Sequence, residues 1–351
     1  MTTPQFAKAA RHVVFAAAAL TLAILAATPG ARADDGRDDG HPPPLVLSDE
    51  GSFFVGGTKT LIQYSAGPAV NRPGHIMKDA MYVQFKIPLA HSDPPKPNVI
   101  LWSGGCHVGT EFQTTPDGRE GWEHMFVRAG YPTYVVDATW RGRSQFSQND
   151  MQAVRNGAAD PSTVPETLTC DEELAAPPAP LGAGFRLYGS NFPIEYLDQY
   201  LSQVVPDYFF SSQNGPAPNE HALIALLEKI GPSVVLAHSQ GGSSVYPTVI
   251  ARPDLFKAYV AVECLGSCRA ITASYPNTPT LILSGDQLDR TRPKPFGLDG
   301  CKITAQTHPN MTVWWLPDLG INGNSHMMAM DTNNRQVFEV IKDWIETRAL
   351  P

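Results

Sequence analysis

The chain has 351 residues, with 26 basic and 34 acidic side chains that give a formal net charge of −8 at pH 7. An acidic chain without a basic cluster is not expected to bind nucleic acid, because phosphate contacts need Lys and Arg. The length accommodates one large domain with an insertion, or at most two domains.

The first residues have the pattern of a secretory signal peptide. Lys8 and Arg11 precede an apolar run over residues 13–27, and the small-residue pattern at 31–33 predicts cleavage after Ala33. The run is shorter than the ~20 residues that a membrane-spanning helix needs, and no later segment is long and apolar enough to span. We therefore predict a periplasmic or secreted mature chain, residues 34–351, with 23 basic against 34 acidic side chains.

Strand-like and helix-like segments alternate along the mature chain. The predicted strands are residues 81–87, 98–102, 133–136, 233–236, 258–262, 280–283 and 311–315. Several are continuous apolar runs, as expected for strands that are covered on both faces. The predicted helices space their apolar residues three and four apart and are 121–129, 220–230, 243–251 and 334–348. The alternation predicts an α/β fold, with a mostly parallel central sheet flanked by helices.

An insertion over about residues 143–219 interrupts this alternation. It is rich in Pro, Gly, Asn and Ser, and its aromatic residues are Phe185, Tyr188, Phe192, Tyr196, Tyr200, Tyr208, Phe209 and Phe210. A segment this long is too large for an ordinary connection and often has a role such as a lid. A cap over a site and an additional packing layer are both compatible with the pattern.

The segment VVLAHSQGGS at 234–243 carries the central motif. A serine on a tight turn between a strand and a helix has a strained backbone and tolerates only small neighbours, because strand and helix approach closely there. Gly241 lies two residues after Ser239, and Ala237 replaces the usual glycine two residues before it. The position of this A-x-S-x-G motif indicates a nucleophile elbow.

A serine nucleophile needs a base and a carboxylate that holds the base. The chain order expected on such a sheet is serine, acid, histidine. Only His308 and His326 follow Ser239, and we prefer His326 because its loop lies between the last strand and the C-terminal helix. Glu263 and Asp286 each follow a predicted strand, so the residues alone leave both open as the acid.

Attack on an ester places negative charge on the carbonyl oxygen, which two backbone amides must stabilise. One amide belongs to the residue after the nucleophile, Gln240, and the other to the loop LWSGGCHVGT, in which Cys106 is the expected donor. Cys106 as the nucleophile is a rival interpretation, but this cysteine does not lie on an elbow. No metal and no other cofactor is expected.

Export makes disulfides feasible, and the odd number of cysteines leaves at least one thiol unpaired within a monomer. The five cysteines are Cys106, Cys170, Cys264, Cys268 and Cys301. If Cys106 is the thiol, the other four allow three pairings. Their spacings do not repeat a C-x-x-C pair and do not indicate a zinc site.

The chain resembles the α/β-hydrolase superfamily, and more narrowly a group of bacterial serine esterases related to the Alcaligenes esterase. The resemblance covers nearly the whole mature chain and rests on five segments in order: GCHVGTEFQTTPDGREGW, YVVDATWRGRS, HSQGG, VECLG and GNSHMMAMDTNN. It implies a triad of Ser239, Glu263 and His326, which favours Glu263 over Asp286 as the acid. It also implies oxyanion amides at Cys106 and Gln240.

The chain departs from this group at one place. The loop LWSGGCHVGT, which carries the expected oxyanion donor, is called the oxyanion loop below. Members of the group carry adjacent cysteines in this loop, whereas this chain has Gly105 and Cys106 there. A vicinal disulfide is therefore excluded, and the loop must obtain its rigidity from other contacts.

The resemblance and the motif together predict an exported serine esterase that acts on a small-molecule ester. The aromatic insertion favours an apolar or aromatic substrate. Acyl transfer to an alcohol and amide hydrolysis remain alternatives on the same scaffold, because fold and triad do not fix the acceptor. A secreted binding protein without catalytic activity is the alternative from another class. The related esterases make a homodimer plausible, although the residues leave the oligomeric state open.

Overall fold

The computed structural model describes residues 42–63, 72–89, 93–167, 189–208, 217–264, 275–287 and 297–349. The chain divides into a first unit, residues 1–44, and a second unit, residues 45–351, to which all the helices and strands below belong. The predicted signal peptide lies outside the described residues. Across the described ranges, no helix combines the length and the apolar character needed to cross a membrane.

An eight-stranded sheet forms the centre of the second unit. Its strands are β1 (Leu47–Gln63), β2 (Pro73–Pro88), β3 (Val99–Trp102), β4 (Thr133–Asp137), β5 (Ser233–His238), β6 (Phe256–Val262), β7 (Thr280–Ser284) and β8 (Met311–Trp315). Their spatial order is β1-β2-β4-β3-β5-β6-β7-β8. The pairs β1–β2 and β2–β4 are antiparallel, and all the other neighbouring pairs are parallel. This is the mostly parallel α/β sheet that the sequence predicts.

Helices cover both faces of the sheet. They are α1 (Trp122–Arg128), α2 (Gln148–Arg155), α3 (Leu197–Leu201), α4 (Asn219–Ile230), α5 (Gly241–Ala251), α6 (Leu298–Ala305) and α7 (Asn334–Arg348). In β5, Val235 and Ala237 belong to the core that α4 and α5 cover, whereas Val234 and Leu236 belong to the core under α1 and α7. Burial on both faces explains why the parallel strands are continuous apolar runs.

The antiparallel part of the sheet was not fully predicted from the sequence. Strand β1 is absent from the predicted strands, and β2 begins at Pro73 rather than at residue 81. These two long strands pair over most of their length, but many β1 residues are exposed or half-buried. A strand that buries so little side-chain surface lacks the continuous apolar run on which the prediction relied.

The described part of the predicted insertion contains only short helical segments. Helices α2 and α3 lie in it, together with 3-10 turns at Pro161–Thr163 and Ile194–Tyr196. Neither of these helices was predicted from the sequence. Helix α6, outside the insertion, has only eight residues and was not predicted either. Helices this short give few repeats of a helical pattern.

The carboxyl ends of the parallel strands lie along one edge of the sheet. In open α/β sheets, ligands bind in the crevice outside these ends. The loops that follow β3, β5, β6 and β7 therefore bring distant parts of the chain together at this edge.

Candidate active site

Ser239 follows β5 on a sharp turn into α5. Its φ of 50° lies in the left-handed region that non-glycine residues rarely adopt, and its amide donates to the Val262 carbonyl across 2.9 Å. A side chain at Gly241 would place its Cβ 2.7 Å from the carbonyl oxygen of Ser103 and 2.8 Å from the Trp102 ring. The close approach of β3 thus explains why a glycine follows two residues after the serine.

His326 lies beside the serine. The Ser239 hydroxyl is 2.8 Å from His326 Nε2, the distance of a strong hydrogen bond. The imidazole comes from the loop between β8 and α7 and is about one-fifth exposed. A neutral ring with an unprotonated Nε2 accepts this hydrogen bond and is placed to take the hydroxyl proton.

Glu263 lies behind the histidine, at the end of β6. Like Ser239 it has a positive φ, 55°, in the left-handed region. Its Oε1 accepts the Gly285 amide across 2.5 Å, which leaves Oε2 facing His326 Nδ1 at 3.8 Å. Among the described residues, both of these facing atoms are buried without another hydrogen-bond partner. The gap exceeds a hydrogen-bond distance by about 1 Å, and catalytic hydrogen bonds of this kind are often long before a substrate binds.

Asp286, the alternative acid, has a different environment. Its two oxygens accept the backbone amides of Gly323 and Asn324, at 3.0 and 2.9 Å. Asp286 therefore fixes the start of the loop that carries His326. The rival base His308 lies at the end of α6, where its Nδ1 is 2.9 Å from the Thr304 carbonyl oxygen.

Asp331 holds the same loop from within. Its carboxylate accepts the amide and the hydroxyl of Ser325, at 2.8 and 2.6 Å, and the side-chain amide of Asn324 at 3.1 Å. Burial raises the pKa of Asp331 to about 7, although these hydrogen bonds oppose the shift. The residue just before His326 is thus fixed by a fully buried carboxyl group.

The predicted oxyanion donor Cys106 is engaged in another contact. Its amide donates to Asp207 Oδ2 across 3.2 Å, and its role as an oxyanion donor stays a prediction. A side chain at Gly104 would come 3.2 Å from Ser239 Cβ, so this loop passes directly beside Ser239. Among the described residues, the amide of Gly105 has no hydrogen-bond acceptor, and neither has that of Gln240.

A buried ion pair fixes the oxyanion loop. Arg141 and Asp207, whose side chains are 4% and 8% exposed, are 2.8 Å apart. Arg141 also donates to the Gly104 carbonyl across 2.6 Å, and the Gln240 side chain links Arg141 to Asp207 through its oxygen and its nitrogen. These contacts give the loop, which has no vicinal disulfide, a source of rigidity.

The predicted insertion packs on this loop. His107 Nε2 is 2.9 Å from the Tyr200 hydroxyl, and the Val205 amide donates to the Cys106 carbonyl across 2.9 Å. Burial lowers the pKa of His107 to about 4, although Glu111 opposes the shift, so this imidazole is neutral. A separate apolar cluster joins the insertion to both site loops and contains Cys106, Phe192, Tyr200, Val204, Met327 and Met330.

The expected pairing of four cysteines is wrong. Each of the three pairings includes Cys264, which is a buried thiol. Cys170 and Cys268 lie outside the described residues, and a disulfide among the other cysteines stays a prediction. Within the described ranges, no group of three or more His, Cys, Asp or Glu side chains is placed to hold a metal ion.

Comparison with known proteins gives a consistent family. No family model matches the chain. A solved structure described as a novel bacterial esterase is 31% identical, with a TM-score of 0.72, over 88% of this chain and 98% of its own. The chain belongs to the α/β-hydrolase superfamily. A probable secreted lipase from a fungal species (strain ATCC 74256) is 28% identical over 76% of this chain and 85% of its own. In an α/β-hydrolase, the turn after the central strand is the expected position of the nucleophile.

Sequence reasoning missed several residues that support this site. Arg141 and Asp331 lie in TWRGRS and MDTNN, two of the segments that carry the family resemblance, and both are charged residues next to site loops. That combination was a usable signal. Asp207 lies in the insertion, where no pattern distinguishes it from a solvated side chain.

Proposed function

We propose that this protein is an exported serine esterase, which hydrolyses carboxylic esters of small molecules through an acyl-enzyme. The observation that carries the proposal is the 2.8 Å contact between the Ser239 hydroxyl and His326 Nε2. The enzyme class, a carboxylic ester hydrolase, is supported by the similarity to a bacterial esterase and to a probable secreted lipase. The latter also supports export.

The chemistry follows from the positions of three side chains. His326 Nε2 takes the proton of Ser239 while Oγ bonds to the acyl carbon, and the Glu263 carboxylate stabilises the imidazolium that forms. The proton then passes from Nε2 to the departing alkoxide, and the C–O bond to the alcohol breaks. Water enters, gives a proton to Nε2 and bonds to the acyl carbon. The bond from the acyl carbon to Ser239 Oγ then breaks, Nε2 returns the proton to Oγ, and the acid is released.

Two backbone amides bind the oxyanion in this proposal. The Gln240 amide lies at the N-terminus of α5, where the helix leaves its first amides unpaired and the helix dipole favours negative charge. The second donor is the Gly105 amide rather than the predicted Cys106 amide, since Asp207 already accepts from Cys106. Pre-positioned donors of this kind are commonly the largest single contribution to acyl transfer.

The insertion serves as a cap in this proposal. Its buried residues Phe192 and Tyr200 join Met327, which directly follows His326, in one apolar cluster. An apolar wall beside the nucleophile favours esters with an apolar acyl or alcohol group over highly polar ones.

The test compares the wild-type protein with Ser239→Ala on p-nitrophenyl acetate and p-nitrophenyl butyrate. We expect the variant to lose about 10⁴-fold or more in turnover, because the triad acts as a unit. A fluorophosphonate probe should label the wild-type protein and not the variant. Unchanged hydrolysis in the variant, or wild-type protein that neither hydrolyses an ester nor reacts with the probe, would refute the proposal.

A further inference from the structure

Two buried ionisable residues next to the triad have no part in the proposed reaction. His238 precedes Ser239 on β5, and Glu111 lies in the turn Gly109–Phe112 after β3. Their side chains are 3% and 1% exposed, and His238 Nδ1 is 2.8 Å from Glu111 Oε1. Burial of two such groups is costly unless the pair makes further contacts that satisfy both partners.

The other nitrogen of the His238 ring points to the catalytic histidine. Its Nε2 is 2.7 Å from the main-chain carbonyl oxygen of His326, and the two imidazole rings are 4.7 Å apart. Within the described residues His238 Nδ1 makes no well-aligned hydrogen bond, so its 2.8 Å approach to Glu111 Oε1 is a charge contact. A ring that donates to a carbonyl carries a proton on Nε2, and a carboxylate beside Nδ1 stabilises a second proton there. The geometry therefore favours the imidazolium form of His238.

The electrostatic surroundings agree with this protonation state. Burial by itself lowers the pKa of His238, but the Glu111 carboxylate, the His326 carbonyl and Glu263 together raise it above its usual value. Burial by itself raises the pKa of Glu111, but the charge of His238 and the Gly104 amide lower it below its usual value. A positive ring and a negative carboxylate thus stabilise each other beneath the site.

The pair contacts three of the segments that build the site. Glu111 Oε2 accepts the Gly104 amide across 3.0 Å, which fixes the oxyanion loop. His238 directly precedes Ser239 in the chain, and its Nε2 contacts the His326 carbonyl oxygen in the loop between β8 and α7. A shift of about 1 Å in any of these loops is enough to cost about 100-fold in rate.

We propose that the Glu111–His238 ion pair positions the main chain of His326 and the oxyanion loop relative to Ser239. The inference rests on the proposed esterase function. Neither residue touches the substrate. The pair acts through the backbone that it holds, and it works only while His238 is charged.

A pH profile separates this role from simple packing. As the pH rises through the folded pKa of His238, the ring loses one of its two protons and, with it, the charge that attracts the Glu111 carboxylate. The kcat of the wild-type enzyme should fall along this alkaline limb. Glu111→Gln removes the charge that keeps His238 protonated, so the limb should move to lower pH. A variant that only disturbs packing lowers kcat at every pH and leaves the limb in place.

The experiment measures kcat and KM from pH 5 to 10 for Glu111→Gln, His238→Gln and Glu123→Gln. Glu123 is the matched control, since it is fully buried and pairs with Lys86 at 2.6 Å on another part of the fold. We expect kcat of Glu111→Gln to fall about 10- to 100-fold with KM little changed. His238→Gln should show a similar loss and no alkaline limb, and Glu123→Gln should keep the wild-type profile.

Nuclear magnetic resonance of the wild-type protein provides a measurement that does not depend on whether the variants fold. The His238 ring should titrate at a pH that matches the alkaline limb of kcat. A ring that stays neutral from pH 5 to 9, or a Glu111→Gln enzyme with unchanged kcat and limb, would overturn the inference. Wild-type protein without ester hydrolysis would instead refute the proposed function, because the positioning role presupposes it.

Discussion

Replacing Glu263 with glutamine should nearly abolish turnover, although the change removes only one charge. The Oε1 atom of Glu263 accepts the Gly285 amide across 2.5 Å, so the glutamine oxygen is expected to stay at that position. The new NH2 group then faces His326 Nδ1. Two N–H donors cannot share a hydrogen bond, so the ring places its proton on Nε2 instead.

The magnitude follows from that tautomer. With a proton on Nε2, His326 cannot accept from the Ser239 hydroxyl across their 2.8 Å contact, and the imidazolium also loses its carboxylate. Loss of the acid in a triad of this kind costs about 10⁴-fold in kcat, or about 5 kcal/mol of transition-state stabilisation. KM should change little, because Glu263 does not contact the substrate.

Asp286→Asn is the comparison that tests the reasoning. Asp286 accepts two backbone amides of the His326 loop, and asparagine keeps one acceptor, so the loss is one charge-assisted hydrogen bond. That hydrogen bond stabilises the folded conformation of the loop by about 1.5–3 kcal/mol. We expect a lower melting temperature and a far smaller loss of kcat than in Glu263→Gln.

The assay is the initial rate of p-nitrophenyl acetate hydrolysis at pH 8, with circular dichroism to verify folding of both variants. Background hydrolysis of the ester is subtracted with Ser239→Ala. If Asp286→Asn loses as much turnover as Glu263→Gln, or more, then Glu263 is not the acid and the assignment fails.

Three further outcomes follow from buried groups around the site. Asp207→Ala should lower kcat about 10-fold because the oxyanion loop loosens; a rise in kcat would instead mean that Asp207 blocks the Cys106 amide as a donor. Burial raises the pKa of Asp331 to about 7, so its contribution to stability is full below its unfolded pKa of ~3.9 and is lost as the pH rises through 7. Urea unfolding of the wild-type protein should therefore show that the free energy of unfolding falls between pH 5 and pH 8, and the fall should be smaller in Asp331→Asn. An equal fall in both proteins would refute the raised pKa of Asp331. Cys264 is buried and its thiol pKa is raised by burial, so Ellman's reagent should react with it only after unfolding; rapid reaction in the folded protein would contradict its burial.

The parallel strands and their helices could be predicted because both faces of the sheet are covered. Burial on two sides forces continuous apolar runs, such as that of β5, and these runs are visible in the sequence. The antiparallel strand β1 has no such requirement. It is held by backbone hydrogen bonds to β2 and carries exposed side chains, so its sequence has no distinguishing pattern.

The same contrast applies to the site. The contact between Ser239 and His326 could be predicted because the elbow has a local sequence pattern and the chain order leaves few histidines. The choice of Glu263 needed the family resemblance, since Asp286 occupies an equivalent position after a strand. The Arg141–Asp207 pair joins residues that are 66 positions apart in the chain, and no local sequence pattern predicts such a contact.

Two of the three residues of the proposed triad, Ser239 and Glu263, have left-handed backbones with φ of 50° and 55°. For a residue with a side chain, each such conformation costs about 1–2 kcal/mol. Evolution for thermal tolerance alone would favour glycine at both places, whereas selection for turnover forbids it. In gene duplicates that are no longer selected for catalysis, we therefore expect substitutions at these two codons first. An inactive descendant with higher thermal stability would carry glycine where its ancestor had the nucleophile or the acid.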